Sequence, residues 1–248
     1  MNKATPTAVV SDAWQYPGRT FEAWIPDLIE RDRVIMAARP GMMRKLLPVR
    51  IDDSGVFSGG CYLFDSYENA QAFETWVRED FVLDGVNFFD RGAFLDPEGH
   101  LWHIVGMEDL ADVHTSQDAM RFQRWHLPRT PSIEQLQQSW PTVRKDASSS
   151  GLSSIWLLYC PDAHHPQLGL VMSSGLRSDK SAGDTLPLLD GLESLPSPAT
   201  ELAGELDGTK VFDRTSWIYT VWFPVTGGGD KAPLFPSSPP LPFPTRRL

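Results

Sequence analysis

Residues 56–81 read VFSGGCYLFDSYENAQAFETWVREDF, and their patterning changes character once, at Ser66. Up to Phe64 the run is short, apolar and bounded by a turn signal, as a buried strand is. Beyond it, Ala70, Phe73, Trp76 and Val77 recur at helical spacing. Ser66 is placed to cap that helix, and Glu68 lies in its first turn, near the positive end of the helix dipole. A strand running directly into a capped amphipathic helix is therefore the unit from which the rest of the chain is read.

Upstream, residues 21–38 are expected to be helical. Leu28, Ile29, Ile35 and Met36 share a face, with Glu30, Arg31 and Arg33 turned away. Pro26 sits near the start, and Pro40-Gly41 ends the run. Residues 42–51 form a strand candidate, interrupted by Pro48 and so of edge or bulged type. Asp52-Asp53-Ser54-Gly55 reads as a hairpin turn. Downstream, 86–91 is extended, Asp96-Pro97-Glu98-Gly99 is a turn, and 101–107 is a strong strand.

The second half repeats the order in divergent form. A strand is expected over 120–127 and a helix over 132–145, capped by Ser132, with Pro141 in its last turn. Two apolar strands follow, 153–160 and 168–173, joined by 161–167. A short helix over 186–195 and a closing strand over 216–223, SWIYTVWF, complete it. Residues 174–184 and 195–208 read as linkers. The tail after Pro224, GGGDKAPLFPSSPPLPFPTRRL, reads as extended. The expected division is 1–117 for a first repeat, 118–225 for a second, and 226–248 for the Pro-rich tail.

The Gly-Gly-x-Tyr-Leu-Phe strand entering the Ser-capped helix resembles the second half of a ferredoxin-like βαββαβ unit of the dimeric α/β-barrel superfamily. The nearest likeness is to the YdhR-like monooxygenases and the antibiotic-biosynthesis monooxygenases. That resemblance covers about one tenth of the chain. It implies an α+β fold of two ferredoxin-like repeats in one chain, forming an intrachain dimeric α/β-barrel. It also implies a mostly apolar pocket. The YdhR-like proteins are roughly half this length and act as dimers, so this chain is expected to be a pseudo-dimeric monomer or a homodimer. Haem enzymes such as chlorite dismutases and aldoxime dehydratases also carry two such repeats. No proximal-His context of theirs is recognisable here.

Composition narrows the function. The 248-residue chain has a net charge of −10, from 22 Lys+Arg against 32 Asp+Glu. Such a balance argues against a nucleic-acid partner, which needs a concentrated basic face. No apolar run approaches the roughly 18 residues of a spanning helix, no basic amphipathic segment suggests a membrane surface, and the first residues lack a signal-peptide core. Cys61 and Cys160 both fall in apolar runs, as buried thiols in a reducing cytoplasm do. Nine Trp suit a pocket with an aromatic guest.

Six His are candidates for acid–base work: His100, His103, His114, His126, His164 and His165. His103 lies in LWHIVGM, on a period-2 face with Leu101 and Val105. His126 closes RFQRWHL on the face of Phe122 and Arg124, where a cation and a base can polarise a carbonyl or phenolate. His100 sits in a turn. His164 and His165 follow Asp162 in a loop and lack the spaced third ligand of a zinc site, so no metal is expected. Gly59-Gly60 lacks the spacing and Lys of a phosphate loop. A close backbone approach or a bulge explains it. No G-x-S-x-G or H-E-x-x-H motif is present.

The reading that results is a small-molecule enzyme acting on an aromatic or polyketide-like metabolite. In its sharpest form it is a cofactor-independent monooxygenase. His103 or His126 is the base, Arg124 the anion stabiliser, and Tyr62, Trp102, Trp125, Asn87 and Asp90 contact substrate. No cofactor is called for, and O2 is the co-substrate. The same acid–base pair fits an isomerase, dehydratase or cyclase. A non-catalytic ligand-binding or interaction protein is the reading from a different class.

Overall fold

The computed structural model describes residues 5–16, 38–52, 55–83, 85–87, 95–109, 119–148, 152–161, 165–174 and 185–222. Residues 21–37 of the expected first helix, Asp90, His114, His164, the linker over 175–184 and the Pro-rich tail lie outside them. The chain divides into two compact units, Met1–Leu101 with Tyr219–Leu248, and Trp102–Ile218.

In the first unit, β1 (Ala8–Tyr16), β2 (Met42–Asp52) and β3 (Gly55–Phe64) form an antiparallel sheet in the order β1-β3-β2. Helix α1 (Tyr67–Glu79) follows β3 directly. Ser66 Oγ accepts from the Asn69 amide at 3.2 Å, a cap that contributes about 1 kcal/mol. Ala70, Phe73 and Val77 are buried, and the Phe73 ring lies 4.7 Å from Tyr62 and 5.2 Å from Phe64. Burying such a side chain contributes about 1.5–3 kcal/mol. A Cβ on Gly60 would overlap the Tyr62 ring, and the β1–β3 register is regular through Gly59 and Gly60. The pair of glycines is thus a close approach and not a bulge. A two-residue ladder, β4 (Val82–Leu83) and β5 (Val86–Asn87), follows.

Strand β6 (Leu95–Asp109) is longer than expected and runs through the Asp-Pro-Glu-Gly sequence that reads as a turn. Its residues from Trp102 onward belong to the second unit. There β7 (Ala119–His126), helix α2 (Ile133–Ser148), β8 (Ser154–Cys160), β9 (Gln167–Ser174), helices α3 (Thr185–Ser194) and α4 (Thr200–Glu205), and β10 (Thr209–Trp222) follow in turn. The sheet order is β10-β7-β9-β8-β6, antiparallel throughout. Taken as the four strands of a βαββαβ repeat, β7 to β10 are arranged fourth, first, third, second, the ferredoxin-like order.

Ser132 Oγ accepts from the Gln135 amide at 3.1 Å and starts α2 where expected. The helix does not stop near Pro141, which lies in its interior. The ring removes one backbone donor and the helix carries on to Ser148. Trp140, beside that proline, lies over Gly106 of β6, and a Cβ there would overlap the indole. Arg144 pairs with Glu108 one turn further on, its Nη2 donating to Glu108 Oε1 at 2.8 Å. These contacts fix α2 on the sheet face that carries Gly106. Arg121 of β7 ties α3 to the same face, donating to the Leu192 and Leu195 carbonyls at 3.1 and 2.8 Å.

Candidate functional site

The register of the second unit sorts its side chains onto two faces, because successive strand residues point to opposite sides. Arg121, Gln123 and Trp125 of β7 share the helix-covered face with Tyr159 of β8 and His103 of β6, which pair through β9 and β8. Phe122, Arg124 and His126 point the other way, together with Gly169 and Gln167 of β9 and Phe212 and Arg214 of β10. Trp102, next to His103 along β6, is also on this second face. Its ring packs edge-on against Phe122 at 5.7 Å.

The expected site residues separate accordingly. Arg124, His126 and Trp102 come together. His103 and Trp125 lie on the helix side. The shift in register between Ile104 and Gly106 leaves Val105 as an extra residue in β6 and ends the simple alternation. Tyr62 belongs to the first unit, between Phe73 and the buried Lys45, whose Nζ lies 4.9 Å from its ring centroid. Asn87, also in the first unit, donates to the Arg78 carbonyl at 2.8 Å and so holds the end of α1. Asp90 lies outside the described residues.

On the face opposite the helices, two ladder pairs form a diagonal pattern. Arg124 is opposite Phe212, and Phe122 is opposite Arg214. The Arg124 guanidinium lies 4.5 Å from the Phe212 centroid and that of Arg214 5.0 Å from it. Phe122 and Phe212 meet edge-on at 5.9 Å. Arg124 is 5% exposed. Its guanidinium is a cation with donors only and no acceptor. The surface it lines is thus aromatic and cationic at once. Across from Arg124, Gly169 leaves its space to Trp102 and Phe122. A Cβ there would sit 3.1 and 3.3 Å from their rings. His126 ends the row, its ring 5.4 Å from that of the exposed His165.

Solved structures of the same fold exist. One, named an anthrone oxidase-like protein, aligns over 92% of this chain and 98% of its own, with a TM-score of 0.53 and 11% identity. A second, from Fusobacterium nucleatum subsp. nucleatum and provisionally named a monooxygenase, aligns over 88% and 95%, with a TM-score of 0.51 and 7% identity. No protein-family model and no curated protein sequence matches the chain. The chain shares the fold of these two structures. The expected α+β class of ferredoxin-like repeats is borne out.

The helix-covered face holds a different polar group. Asp213 of β10 accepts from Arg121 through both oxygens, at 2.7 and 2.8 Å, and from Gln123 and Lys210 at 2.8 and 3.0 Å. Burial pushes its carboxyl up, but the hydrogen bonds from Arg121, Gln123 and Lys210 outweigh that and bring it down to about 2. Because Arg121 also holds the end of α3, this cluster serves the fold. Sequence reasoning missed Phe212, Arg214 and Asp213, all in a charged stretch before the expected start of the last strand. Among the described residues no three His, Cys, Asp or Glu gather as a metal would need, and no helix is long and apolar enough to cross a membrane. Cys61 and Cys160 are buried and not joined in a disulfide.

Proposed function

We propose that this protein is a small-molecule monooxygenase that binds an aromatic carbon acid against the Phe122–Arg124–Phe212–Arg214 face. The observation that carries this reading is the pair of guanidiniums on one Phe ring, beside a histidine, on a sheet face otherwise lined by Trp102 and Phe122. Aromatic rings receive the planar substrate, and Arg124 stabilises the oxygen that becomes negative when a proton leaves the adjacent carbon. His126 takes that proton. The resulting carbanion is electron-rich enough to reduce O2 itself. One oxygen atom ends on the carbon as a carbonyl, and the other leaves as water with the two hydrogens of the CH2 group. The names of the two solved structures of this fold support the same chemistry.

Anthrone is a suitable probe, because anthrone plus O2 gives anthraquinone plus water. Turnover consumes one O2 per anthraquinone, and Arg124→Gln, its fold checked by circular dichroism, lowers kcat by about 10²–10³. A rate undiminished without O2, or a fully active Arg124→Gln enzyme, overturns the proposal. Loss of oxygen dependence alone would move the site to isomerisation or dehydration.

A further inference from the structure

Gln167 is the first residue of β9 and is 4% exposed, yet its side-chain oxygen has no hydrogen-bond partner. It is paired directly with His126 on one side and Cys160 on the other, on the face that carries Arg124. Arg124 is opposite Gly169, so Gln167 and Arg124 are diagonal neighbours, about 7–8 Å apart at Cα. A buried amide oxygen left without a donor is costly, and such a group in a native fold calls for an explanation. The Asp213 cluster on the other face cannot supply a donor, since adjacent strand positions point away from each other.

We propose that Gln167 is a specificity-determining residue whose amide oxygen accepts a hydrogen bond from a protonated hydroxyl of the ligand. The ligand is then an aromatic anion with a second, un-ionised hydroxyl. Its anionic oxygen meets Arg124 and its hydroxyl meets Gln167. This rests on the aromatic-anion site proposed above and adds the second polar group to it. A site built to hydrogen-bond a hydroxyl rejects the analogue that lacks one, because its own polar group is then left buried and unpaired.

The test is calorimetric titration of the full chain with 2-naphthoate and with its 1-, 3- and 4-hydroxy derivatives. At least one hydroxy isomer is expected to bind about tenfold or more tightly than 2-naphthoate. In Gln167→Met, close in shape but without the amide, the ratio falls to about one, with 2-naphthoate affinity retained. Gln167→Glu keeps an acceptor and keeps the preference. A purely structural Gln167 would change all ligands alike. If 2-naphthoate binds and Arg124→Gln weakens it, but no isomer is preferred or Gln167→Met keeps the preference, this inference falls and the aromatic-anion reading stands. If no naphthoate binds the wild-type chain, this inference falls, and the anthrone assay alone decides the monooxygenase reading. Should Gln167→Met misfold, the wild-type ratio alone still decides, because a ratio near one overturns the inference.

Discussion

Arg124 and Phe212 face each other across the β7–β10 ladder, with the guanidinium 4.5 Å from the ring centroid. The ring does more than fill space. It holds a long, flexible cation in one place and lowers the cost of keeping it ordered. Phe212→Leu keeps apolar volume and removes the π-face. It is expected to weaken 2-naphthoate binding by roughly 3- to 30-fold, the range of a partly desolvated cation–π contact. In an Arg124→Gln background the same substitution should add little. A double-mutant cycle by calorimetry measures this, and two fully additive effects would show that Phe212 does not act through Arg124.

Asp213 links acid stability to the tie between sheet and α3. Its carboxyl in the folded chain is held at about 2, below the ordinary 3.8, by its hydrogen bonds from Arg121, Gln123 and Lys210. A depressed carboxylate contributes stability that is complete above the unfolded-state pKa and is lost as pH falls through the folded one. The loss therefore falls between about pH 4 and pH 2. Asp213→Asn should destabilise the chain near pH 7, by leaving Arg121 with a weaker partner, and should flatten this acid limb. Urea denaturation at a series of pH values checks it. An unchanged slope between pH 4 and 2 would remove Asp213 from the account.

Much of this fold is legible where local signals and tertiary demands agree. The cap at Ser66 and the apolar stripe of α1 are local, and both are found. The stretch 209–215, TKVFDRT, is not legible as a strand. Its polar residues serve opposite faces, Asp213 toward the helix side and Arg214 toward the aromatic one, so no apolar alternation survives. In β6 the turn chemistry of Asp-Pro-Glu-Gly is a weak local preference, and the strand continues through it. The site divides in the same way. Period 2 alone puts Arg124 with His126. Which face of β6 carries His103 depends on where Trp140 lands and on the extra residue at Val105, and neither is local. Gln167 reads as the end of a loop, and only its burial reveals it.

Gly106 marks where the sequence makes room for a helix. An added Cβ meets the Trp140 indole, which is held from behind by α2 and its Arg144–Glu108 pair. Gly106→Ala is expected to cost about 1–3 kcal/mol, as overpacking does. Trp140→Leu in the same chain should recover part of that loss. Urea unfolding of the single and double variants measures it. Equal stability of Gly106→Ala and wild type would mean that the helix stands off the sheet.

His126 and His103 offer the sharpest separation of catalytic from structural histidine. Both are half-buried strand residues of one sheet, so local environment does not distinguish them. The face does. His126 shares the side of Arg124, Phe122 and Gln167, whereas His103 is paired with Tyr159 on the side covered by helices. With anthrone and O2, His126→Ala should lower kcat by about 10²–10⁴, the usual contribution of a positioned base. His103→Ala should lose at least about tenfold less, with its effect seen in the urea midpoint. A proton-transfer role also predicts that added imidazole restores part of the His126→Ala rate and none of the His103→Ala deficit. The reverse order of effects would place the chemistry between the sheet and its helices, and would displace Arg124 with it.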